Sequence, residues 1–115
     1  MRKKHLISMI TALAVVAVII LAVFLLINRK QETPEATAKC IGQNSILYVQ
    51  LGCHACERQE NLFIGSYQHL NVVDCFYDGS KCAVAGISAT PTWIINGKKY
   101  VGMQSVERLK ELTGC

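Results

Sequence analysis

Residues 46–57 read ILYVQLGCHACE: an apolar run, a glycine, then two cysteines three positions apart. The run from Ile46 to Leu51 is short, β-rich and apolar throughout, the pattern of a strand buried on both faces. Beyond it Cys56, Gln59, Leu62, Phe63 and Gly65 recur with helical spacing, which predicts a helix from Cys53, or just after it, to Ser66. The cysteine pair therefore falls on a strand-to-helix junction. Unpaired backbone N–H groups and the positive end of the helix dipole face Cys53 there, and both favour thiolate over thiol. The thiolate is the nucleophile of disulfide exchange. Cys56, one turn further on and on the buried side, is placed to attack a mixed disulfide on Cys53. His54 adds positive charge beside the nucleophile when protonated.

Other chemistries use two cysteines at this spacing. Haem attachment requires a histidine directly after the second cysteine, and Glu57 stands there instead. A metal-binding module for copper or zinc remains the alternative, with Cys75, Cys82 or His54 completing the ligand set. His5 lies in the leader and His69 in a loop, so neither adds a ligand.

The remaining pattern supplies a plan. Asn71 to Phe76 reads as a second strand, Asp78-Gly79-Ser80 as a turn, and Lys81 to Ala85 as a short helix. Thr92 to Ile95 and Lys99 to Val101 flank Asn96-Gly97, a strong hairpin signal. Ser105 caps a final helix carrying Val106, Leu109 and Leu112 on one face, and Gly114 stops it. The order β-α-β-(α)-β-β-α, opened by a right-handed strand-helix-strand crossover, gives an α/β fold with a mixed sheet. Pro91 starts the third strand, at the end of the sheet where Cys53 sits.

Ahead of this domain the chain changes in kind. Leu6 to Ile27 is 22 residues without charge, proline or glycine, preceded by Arg2, Lys3 and Lys4. As a helix it measures roughly 33 Å, enough for a hydrocarbon core of about 30 Å. The stretch exceeds the roughly 7–15 apolar residues of a cleaved signal, and Ala36-Thr37-Ala38 lies far beyond it, so a retained signal anchor is expected. All six cysteines follow it, which suits an oxidising compartment and an extracytoplasmic C-terminal domain. The organisation expected is a leader at 1–5, a transmembrane helix at 6–27, a polar tether at 28–44 and a folded domain at 45–115. From Cys40 onward six basic and six acidic residues balance, and no basic patch interleaves with aromatics. Nucleic acid is excluded as a partner on that ground.

CxxC at a strand-to-helix junction, Thr90-Pro91 before the third strand, a hairpin and a closing helix together resemble the thioredoxin superfamily. The closer resemblance is to the thioredoxin-like domain fused to bacterial vitamin K epoxide reductase homologues. It rests on CHACERQENLF, the pair Cys75 and Cys82, TPTWIINGKKYVG and QSVERLKELTG. The resemblance implies a compact thioredoxin-like fold and a thiol-disulfide oxidoreductase whose redox group is its own disulfide, with no further cofactor. It implies a cis peptide before Pro91 and a Thr90 backbone that pairs with substrate. It also implies partners: cysteine-bearing exported proteins and an integral membrane redox protein of the vitamin K epoxide reductase type. The sequence departs from thioredoxin in having Leu47 where that protein has a buried acid, which leaves Glu57 and Glu60 as the nearest carboxylates for Cys56. His54-Ala55 between the cysteines leaves the direction of electron flow open.

For Cys75 and Cys82 the resemblance implies a structural bridge; the other reading is a second redox couple. Cys40 and Cys115 bracket the domain, and the last helix should end where the chain enters the first strand. A Cys40–Cys115 bridge stapling entry to exit is the expectation there, against a reading as free or intermolecular thiols. Trp93, next to the Pro91 segment, is expected in the core.

Overall fold

The computed structural model describes residues 1–28 and 32–115, which separate into two units, Met1–Gln31 and Glu32–Cys115. The first is one helix, α1 (Arg2–Ile27), with a mean hydropathy of 3.3 over its most apolar window and no buried residue. It is long and apolar enough to cross a membrane.

The second unit begins with a finding the sequence pattern did not announce. Residues 28–44 were expected as a tether; instead Glu35–Gln43 forms α2 and belongs to the folded unit, while residues 29–31 of that segment lie outside the described residues. The physical reason is tertiary. Ala38 and Ile41, three apart on one face, are fully buried in the core cluster. Gly42 lets the helix lie directly on the following chain, since a Cβ there would stand 2.1 Å from the His69 carbonyl oxygen. Even residues ahead of α2 are engaged: the buried Thr33 hydroxyl donates to the Leu62 carbonyl, and Ser66 Oγ donates to the Thr33 carbonyl at 3.0 Å. The folded unit therefore starts near residue 32 rather than 45.

From there the elements follow the expected order: β1 (Ser45–Val49), α3 (His54–Asn61), a 3-10 turn (Tyr67–His69), β2 (Val72–Asp74), α4 (Gly79–Val84), β3 (Thr92–Ile95), β4 (Lys98–Val101) and α5 (Val106–Thr113). The main difference is α3, which stops at Asn61 instead of Ser66. Phe63 N–H donates to Glu60 and Ser66 N–H to Phe63, so the chain closes tighter turns there and reverses at Gly65. This puts Phe63 into the core while Ile64 faces out. Likewise β1 ends at Val49, because Cys53 N–H donates to the Gln50 carbonyl and bends residues 50–53 into a turn.

The four strands are ordered β2-β1-β3-β4. β1 pairs parallel with β2 (Leu47 opposite Val72) and antiparallel with β3 (Leu47 opposite Trp93); β3 and β4 form an antiparallel hairpin. Asn96 and Gly97 both have positive φ, 50° and 75°, as the tight turn requires. Alternation sorts the faces. Leu47, Val49, Trp93 and Ile95 point to the core shared with α2, α3 and α5, where Ile41, Cys56, Phe63 and Leu109 meet them. On the other face Ile46, Tyr48 and Val73 line a shallow groove with Ser80, Lys81, Val84 and Ala85 of the α4 region. The second unit is thus a thioredoxin-like fold, a mixed four-stranded sheet with helices on its faces, and the long apolar helix precedes it in the sequence.

Candidate active site

Two features of the fold meet at one end of the sheet. β1 delivers the chain through the turn at residues 50–53 to the start of α3, where Cys53 is the N-cap. Because β3 runs antiparallel to β1 with Tyr48 opposite Thr92, the residues just ahead of Thr92 lie beside the end of β1. The Thr90–Pro91 peptide is cis, and the Thr90 carbonyl oxygen stands 3.6 Å from Cys53 Sγ. The loop is fixed from both sides: Thr92 Oγ1 donates to the Ala89 carbonyl at 2.7 Å, and Gly102 N–H donates to the Pro91 carbonyl at 2.7 Å.

Cys53 and Cys56 are joined as a disulfide, with Cα atoms 5.2 Å apart. Their surroundings differ. Cys53 is half-buried, and Cys56 is 6% exposed and part of the core. The backbone N–H of Cys56 points at Cys53 Sγ at 3.2 Å, the position in which it would stabilise a thiolate once the bridge opens. The pair thus has one reachable sulfur and one sheltered sulfur. His54 projects into solvent, with Nδ1 3.4 Å from Glu57 Oε2; both side chains are strongly exposed, and a pair of that kind contributes little to stability.

The other four cysteines pair as well. Cys75, just past β2, bonds Cys82 in α4, and Cys40 in α2 bonds Cys115 after α5, the latter across 75 residues. Among the described residues no three His, Cys, Asp or Glu side chains converge as a metal-ligand set.

Two parts of the site were not visible in the sequence. Gln59, fully buried and three residues after Cys56, is a hub. Its Oε1 accepts from Trp93 Nε1–H (3.0 Å) and from Gln104 N–H (2.7 Å), and its Nε2–H donates to the Gln104 carbonyl (3.0 Å). It ties α3 to β3 and to the loop before α5, and so fixes the cysteine helix against the strand that carries Pro91. The only sequence signal was a glutamine on the buried stripe of a helix. The second part is a cleft of about 320 Å³ behind the disulfide, walled by Cys53, Cys56, Glu57, Glu60, Tyr67 and Asp74 among others. Burial, and then the Glu60 and Asp74 carboxylates, push the Tyr67 phenol up to about 12. Leu47, beneath the pair, is fully buried and apolar, so the ionisable groups near Cys56 come from this cleft.

Strand order, a cysteine pair capping the helix after β1 and a proline loop facing it give this domain a thioredoxin-like fold with its cysteine pair at one end of the sheet. Over 94 residues, 71% of the chain, the sequence is 37% identical to the thiol-disulfide oxidoreductase LTO1 of Arabidopsis thaliana. The chain spans about a quarter of that protein, 25% of its length. Among solved structures it is similar to the oxidised thioredoxin of Plasmodium falciparum (TM-score 0.46, 19% identity, 71% of this chain and 90% of that one). It is also similar to the NTD_N/C domain of the alkylhydroperoxide reductase AhpF of Enterococcus faecalis (TM-score 0.45, 18% identity, 71% and 45%). No protein-family model matches the chain.

Proposed function

We propose that the protein is a membrane-tethered thiol-disulfide oxidoreductase whose working couple is Cys53–Cys56. The observation that carries this reading is the contact between the half-buried Cys53 sulfur and the Thr90 carbonyl beside cis-Pro91. Only a partner presenting a sulfur and an extended backbone uses both features. A partner thiolate attacks Cys53 Sγ, the Cys53–Cys56 bond breaks, and Cys56 leaves as a thiolate that takes up a proton. A second partner thiolate then attacks the partner's sulfur in the mixed disulfide, which releases Cys53 as a thiolate. The partner has lost two electrons and the domain has gained them; the reverse sequence reduces a partner disulfide. Throughout, Thr90 and Pro91 hold the partner's backbone, and the exposed His54 sets the field at the Cys53 thiolate. Cys75–Cys82 and Cys40–Cys115 serve as structural ties.

In this reading α1 anchors the chain in a membrane with the domain on the extracytoplasmic side, where six paired cysteines persist. Its substrates are exported proteins with cysteines. Its electrons pass to or from an integral membrane redox protein of the vitamin K epoxide reductase type, with no cofactor besides the disulfide. Trapping tests the proposal. A Cys56→Ala chain expressed in membranes should accumulate mixed disulfides through Cys53 that disappear in Cys53→Ala/Cys56→Ala. Absence of any Cys53 adduct, with the chain correctly folded, refutes it.

A further inference from the structure

The resolving sulfur, Cys56, is buried and needs a proton partner each time the disulfide opens or closes, yet among the described residues no carboxylate or histidine is buried in the core around it. The cleft behind the pair is the route by which a proton reaches it. With about 320 Å³ of space it admits several water molecules, and Gln50, Glu57, Glu60, Tyr67 and Asp74 stand among its apolar wall residues to hold them. The titratable groups facing Cys56 there are Cys53, Glu57 and Glu60 from the cysteine turn and α3, Tyr67 from the 3-10 turn, and Asp74 from β2; His54 projects outward to solvent.

Three of the cleft's four titratable oxygen-bearing side chains are otherwise engaged. One oxygen of Asp74 accepts from Phe76 N–H at 2.8 Å and from Leu51 N–H at 3.3 Å, which ties the loops after β1 and β2 together. Glu57 faces His54 at 3.4 Å. Tyr67 holds its proton far above neutrality. Glu60 has no side-chain hydrogen bond or ion pair among the described residues. It follows Cys56 by four positions in α3, so the two side chains share one face of the helix.

We propose that Glu60 is the proton-exchanging residue for Cys56, taking the thiol proton through water in this cleft when the disulfide closes and returning it when the disulfide opens. This rests on the oxidoreductase reading above and assigns a role within it. In the closing step a mixed disulfide links Cys53 to its partner. The Cys56 S–H proton passes to water and on to the Glu60 carboxylate, and the Cys56 thiolate attacks Cys53 Sγ. The Cys53–Cys56 bond forms, the Cys53–partner bond breaks, and the partner sulfur leaves with the electron pair and takes a proton from solvent. The two protein thiols are oxidised and the partner disulfide is reduced.

The test follows closure of the glutathione mixed disulfide on Cys53 after mixing the reduced full-length chain, in detergent, with saturating oxidised glutathione. Acid quenching and intact mass at each time give the closure rate across pH. In wild type the rate should persist well below the thiol's own range and fall as a carboxylate protonates. Glu60→Gln should slow closure roughly tenfold or more at neutral pH and make it climb about tenfold per pH unit. Glu60→Asp should recover part of the rate, and Glu107→Gln, an exposed carboxylate of α5 outside the cleft, should match wild type. Because the side chain of Glu60 is exposed, a purely structural role would leave the pH profile unchanged. A Glu60→Gln profile that overlays wild type overturns the assignment while leaving the oxidoreductase reading intact. A wild-type chain that forms no mixed disulfide overturns both.

Discussion

Replacing Gln59 by leucine removes the polar hub of the core at nearly constant volume, so lost hydrogen bonds rather than a cavity set the effect. The Trp93 indole N–H, in a fully buried ring, loses its acceptor at 3.0 Å and has no route to water. An orphaned buried donor costs about 1–3 kcal/mol. Gln104 loses a bond from its N–H and one to its carbonyl, but its backbone is only partly buried, so water replaces much of both and about 1 kcal/mol remains. The expected loss is about 2–4 kcal/mol. At roughly 4–8 °C per kcal/mol for a domain of this size, the midpoint should fall by about 8–32 °C. Trp93 is the single tryptophan, so its fluorescence reports unfolding without labels. Thermal melts of wild type and Gln59→Leu in the same detergent give the difference. A shift below about 3 °C would refute the idea that Gln59 fastens the cysteine helix to the proline-bearing strand.

Gly42→Ala should destabilise the domain by about 1–3 kcal/mol in the same melt, because its Cβ would meet the backbone oxygen of His69 and one of the two segments must move. Cys40→Ser/Cys115→Ser opens a 75-residue loop and should cost about 4 kcal/mol, against about 2 kcal/mol for Cys75→Ser/Cys82→Ser with its separation of 7; denaturation of the two double variants ranks them. Tyr67 keeps its proton in the folded state to about pH 12, whereas the unfolded chain releases it near 10. Between those values the unfolded state binds fewer protons, so stability falls as pH rises through the window. Tyr67→Phe should flatten that part of the stability curve and remove the latest phase of tyrosinate absorbance.

How much of this was legible in the sequence depends on where each signal resides. The cysteine junction, the hairpin at Asn96-Gly97 and the helix capped by Ser105 are local patterns, and the structure reproduces them at the same residues; Ser105 Oγ accepts from Arg108 N–H as a cap should. α2 was misread because nine residues with two core contacts carry little periodicity, and their helix is held by packing on α5, the 3-10 turn and β1. The end of α3 was misread because Leu62, Phe63 and Gly65 fit a helical stripe equally well when the chain turns tightly there. Gln59 and the cleft beside Cys56 depend on side chains from separate elements. Trp93, Gln104, Tyr67 and Asp74 stand 7 to 45 residues from their partners in α3, and no spacing rule connects them.

The central claim is that Cys53–Cys56 is the redox-active couple among three disulfides. Equilibrating the full-length chain with glutathione buffers of graded potential, followed by alkylation and peptide mass mapping, measures all three at once. Cys53 and Cys56 should be alkylated together, in one reversible two-electron step, while Cys40–Cys115 and Cys75–Cys82 stay oxidised. Either of those two bridges opening first, or at the same potential as Cys53–Cys56, would contradict that claim.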